Sequence, residues 1–84
     1  MLKSELFIAV YGIVNKYLKN EISDSIIKQL SIELTAVVMN EVNIADNINL
    51  SDQQIVDCII KQEYKLKVKP PQIDIDYIKT TFSK

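Results

Sequence analysis

Apolar residues recur at three- and four-residue steps along most of this chain, the spacing that lines one face of an α-helix. In the first segment the stripe is Leu6, Val10, Ile13, Val14, Tyr17 and Leu18, widened by Phe7 and Tyr11. It predicts a helix from about Ser4 to Lys19, ending near Asn20. Gly12 falls inside it, at a cost of about 1 kcal/mol relative to alanine, and is read as a point of close helix contact. The second stripe is Ile26, Ile27, Leu30, Leu34, Val37 and Val38, with Lys28, Gln29, Glu33 and Glu41 on the other side. Ser23 is placed to cap it, and Ile22 and Ile27 have the spacing of a hydrophobic staple. The predicted helix runs from Asp24 to about Val42, and the Asn/Asp-rich stretch after it reads as a loop.

The third helix has the clearest start signal. Ser51 and Gln54 stand at capping-box spacing, flanked by Leu50 and Ile55 as a staple. Ile55, Val56, Ile59 and Ile60 form its buried stripe, and Asp57 and Lys61 face water, predicting a helix from Asp52 to about Tyr64. The period then changes from helical to two. Tyr64, Leu66 and Val68 alternate with Lys65, Lys67 and Lys69 before Pro70 and Pro71. Two arrangements compete here: a hairpin of 64–69 against 72–77, or an extended linker and a last helix from Ile75 to about Phe82. The helix is favoured, because Asp74 suits an N-cap, Ile73 and Ile78 suit a staple, and a lone hairpin is marginal in water. The expected fold is all-α: a compact bundle of three longer helices plus a short C-terminal helix after an extended Lys/Pro segment. Residues 1–84 form one small domain.

Composition narrows the chemistry more than it identifies it. The 84 residues are 48% hydrophobic, with one cysteine, one glycine and no histidine. Ser-His-Asp and Cys-His catalysis are excluded by residue type, as are histidine-based metal sites, an internal disulfide and a glycine-rich phosphate loop. Neither the Asp74/Asp76 pair nor the loop around Asp46–Asp52 has ligand spacing beyond capping and turn chemistry. Cys58 lies about two turns into its helix and reads as a small core residue. No catalytic residue, cofactor or metal is expected, and the chain is read as not an enzyme.

Charge adds one asymmetry. The net charge is −1, but residues 1–57 hold four lysines against eight acids, whereas 58–84 hold six lysines against three. All ten basic residues are lysine, so the bidentate guanidinium readout of guanine or phosphate is absent. Abundant Ile, Lys and Asn without arginine is what an A+T-rich genome produces, and a bacterial or phage source is expected. Lys3 and Glu5 before a short apolar stretch, with no small-residue cleavage site after it, do not form a signal peptide. No run approaches the roughly 18–20 apolar residues of a membrane span. The expected location is the cytoplasm.

The expectation for function is a non-catalytic protein–protein interaction module: a small adaptor, inhibitor or self-associating regulator, with another protein or a second copy of itself as partner. The candidate contact residues are Phe7 and Tyr11 on the first helix and the lysines Lys61, Lys65, Lys67 and Lys69. Two alternatives stay open, a nucleic-acid-binding regulator that uses the 61–69 lysines on phosphates and an accessory subunit of a larger enzyme complex. Nucleic acid is the less favoured partner, since the chain is slightly acidic and Asp52 and Asp57 would face the groove in a helix-turn-helix reading.

Overall fold

A helix leaves its first N–H groups without intrahelical acceptors, so the residue before it decides where it begins. In this computed structural model, which describes residues 2–41, 49–68 and 73–83, three of the four starts follow that rule. Helix α2 (Asp24–Glu41) opens at Ser23, whose Oγ accepts the Ile26 N–H at 3.4 Å. At α3 (Asp52–Lys61) the capping box is complete. Ser51 Oγ accepts the Gln54 N–H at 3.2 Å, and Gln54 Oε1 accepts the Ser51 N–H at 2.8 Å. At α4 (Ile75–Phe82), Asp74 Oδ1 accepts the Tyr77 N–H at 2.8 Å. Helix α1 (Lys3–Leu18) is the exception, since Leu2 before it has no side-chain acceptor. Only Glu5 reaches back, accepting the Leu2 N–H at 3.4 Å.

The architecture is all-helical, three longer helices plus a short C-terminal one, with no strand among the described residues. Helices α1 and α2 pack against each other along their lengths, joined by the short turn at 19–23. Leu6, Val10, Val14 and Leu18 from α1 meet Leu30, Leu34 and Val38 from α2, all fully buried. Ile55 and Ile59 of α3 close this core from one side, and Ile78 and Phe82 of α4 pack beyond them. Burying one such side chain contributes about 1.5–3 kcal/mol, so the stripes account for the packing. The radius of gyration is 11.9 Å, as expected for a compact chain of this length.

Two side chains inside the core are polar. Ser31 and Thr35 of α2 return their hydroxyls to their own helix, donating to the Ile27 and Ser31 carbonyls at 2.6 and 2.7 Å. Neither leaves a donor unmet. Helix α4 is tied to α1 as well as α3, because Tyr17 stacks on Phe82 with ring centroids 4.9 Å apart.

Two expectations need adjustment. Helix α3 stops at Lys61 rather than near Tyr64, and Gln62 is already extended at φ −87°, ψ 151°. Continuing the helix would have withdrawn the apolar side chains that follow it. In the extended form Tyr64 and Leu66 are half-buried and Val68 is buried, while Glu63, Lys65 and Lys67 are exposed. The period-two rhythm was therefore real, but it belongs to an extended strap on the helices rather than to a hairpin. Gly12 marks no close contact either: it is exposed, and a Cβ placed there would meet nothing within 4 Å. The end of α2 at Glu41 is close to expectation, while Val42 lies outside the described residues, as do Lys69, Pro70 and Pro71.

Candidate functional site

Two of the three large hydrophobic side chains left exposed among the described residues, Ile8 and Ile32, lie on one face. Phe7 and Ile8 on α1 and Ile32 on α2 are not part of the core cluster. Ile8 is 69% exposed and Ile32 62%, unusually high for isoleucines on helices that are otherwise well packed. Together with Lys3, Ser4 and Thr35 they line an open cleft of about 550 Å³ between the two helices. The helical period explains the grouping. Ser4, Phe7 and Ile8 lie within a turn of one another on α1, and Ile32 and Thr35 are three apart on α2. Thr35 is buried and its hydroxyl proton is committed to the Ser31 carbonyl, so it offers the cleft no free donor.

Polar groups sit at the two ends. Lys3 stands at one. Toward the other, Tyr11 lies beside Phe7, with ring centroids 6.2 Å apart, and its hydroxyl donates to Asp24 Oδ1 at 2.9 Å. Asp24 also pairs with Lys28 at 3.1 Å, one turn along α2. The hydrogen bond to Asp24 holds the Tyr11 hydroxyl above its usual pKa. The same bond, followed by the one from Lys28, holds the Asp24 carboxyl below its usual range. Lys28 is raised in turn, chiefly by its hydrogen bond to Asp24. Each of these shifts favours the charge pattern already in place: a neutral phenol, a carboxylate and an ammonium.

Of the residues singled out from sequence, Phe7 lines this cleft and Tyr11 stands one turn farther along α1, beside Phe7 but outside the lining. The lysines fall elsewhere. Lys61 is engaged with Glu41 at 2.7 Å, and the adjacent Gln62 amide donates to the same carboxylate at 3.1 Å. Lys65 and Lys67 are exposed along the strap, and Lys69 lies outside the described residues. Glu63, which interrupts the series, pairs with Lys79 at 3.7 Å. Ile8, Ile32 and Lys3 were missed. For the two isoleucines a signal was present, as α1 and α2 each carry one off the stripe, but a stripe-based reading assigns such residues to no face.

The described residues hold no other assembly with obvious chemistry. No group of three or more acidic or cysteine side chains is clustered to hold a metal ion. Cys58 is buried, and that burial, with Glu41 adding to it, pushes its thiol above the ordinary value. A thiol so placed is a poor nucleophile. No helix among the described residues is long and apolar enough to cross a membrane. No protein-family model, curated protein or solved structure is significantly similar to this chain.

Proposed function

We propose that this protein is a non-catalytic protein–protein interaction module that engages its partner through the α1–α2 cleft. The supporting observation is the pair Ile8 and Ile32, each more than three-fifths exposed across a cleft that Phe7 also lines. Scattered apolar residues on a surface need no explanation, but a contiguous apolar cleft between two well-packed helices is where another polypeptide gains buried area. Phe7 supplies the aromatic anchor that such contacts favour. Tyr11 supplies an amphipathic rim, with its hydroxyl already satisfied by Asp24. The proposed setting is the cytoplasm, where a single buried thiol needs no disulfide partner.

The lysine series supports the nucleic-acid reading less well. Lys61 is neutralised by Glu41 and Glu63 stands among the remaining cations, so few free charges are left to displace counterions.

The reading is tested by site-specific photo-crosslinking in cells that express the protein at its natural level. A photoreactive residue at Ile8 or Ile32 is expected to give a protein adduct, and one at Asp57, exposed on α3, is expected to give none. Equal adducts at all three positions, or none at Ile8 and Ile32, would refute the proposal.

A further inference from the structure

We draw no further inference here: the strongest candidate, the open cleft between α1 and α2 lined by Phe7, Ile8 and Ile32, is a patch of a few exposed apolar side chains, and nothing in the structure shows what covers it.

Discussion

The carboxylate of Glu33, midway along α2, accepts the backbone N–H of Val68 at 2.7 Å across 35 positions of sequence. Its other oxygen accepts the N–H of Lys67. One side chain thus satisfies two consecutive donors of an extended segment that has no strand beside it. It also seats Val68, which is 2% exposed, against the core. Glu33→Ala removes both acceptors and should destabilise the fold by about 1–3 kcal/mol. Urea denaturation reads the loss, and amide hydrogen exchange should accelerate at Lys67 and Val68 before it does in α1 or α2. Unchanged exchange at those two amides would show that the strap is held by Val68 burial alone.

Gly12 offers the opposite effect. It lies within α1, is exposed and has open space where a Cβ would project. Gly12→Ala should therefore stabilise the protein by about 0.5–1 kcal/mol through helix propensity and a less flexible unfolded chain. Thermal melting should show a rise in Tm, and a fall would mean that α1 needs the glycine for a reason outside its packing.

Tyr64 carries a buried hydroxyl with no hydrogen-bond partner among the described residues, and burial pushes its pKa up to about 12. A phenol whose folded pKa exceeds its unfolded value near 10 retains its proton in the native state while the unfolded chain ionises. Its contribution is fully present below pH about 10 and is lost as pH rises through about 12. Stability measured across that window should fall, and Tyr64→Phe should make the fall shallower. A residual slope is expected, because the hydrogen bond to Asp24 raises Tyr11 as well. At neutral pH the same substitution removes an unsatisfied hydroxyl and should be neutral or stabilising. A marked loss of stability there would reveal a partner for that oxygen.

Cys58 should be chemically silent in the native state. Its side chain is buried and its pKa raised, so modification by an aromatic disulfide reagent at pH about 8 should follow local or global opening rather than direct attack. The rate should rise sharply at denaturant concentrations that unfold the chain. A native-state rate equal to that of the unfolded chain would contradict the burial.

Helix existence and helix starts were legible from sequence because they depend on residues three or four apart. Ser51 with Gln54, and Asp74 with Tyr77, are local contacts that a single stretch of sequence encodes completely. The stripe positions Leu6, Val10, Leu30, Leu34, Ile55 and Ile59 were legible for the same reason. The end of α3 was not, because it is set from a distance: Glu33 captures the strap from another helix, and Glu41 takes both Lys61 and Gln62. The cleft was half legible. Phe7 and Tyr11 stood out as aromatic residues beyond the needs of one stripe. Ile8 and Ile32 become a pair only when α1 and α2 lie side by side, a relation that periodicity within either helix does not contain.

Because Ser31 and Thr35 spend their hydroxyls on their own helix, the Tyr11–Asp24 bond is the one directional polar link between α1 and α2 among the described residues. It sits toward the 19–23 turn, where the chain already joins the two rods. The opposite end, near Lys3 and Ser4, is held by non-directional burial of apolar side chains, with Leu6 of α1 and Leu34 and Val38 of α2 all fully buried. Side-chain hydrogen bonding thus fixes the alignment of the two rods from one end only, beside the turn that joins them.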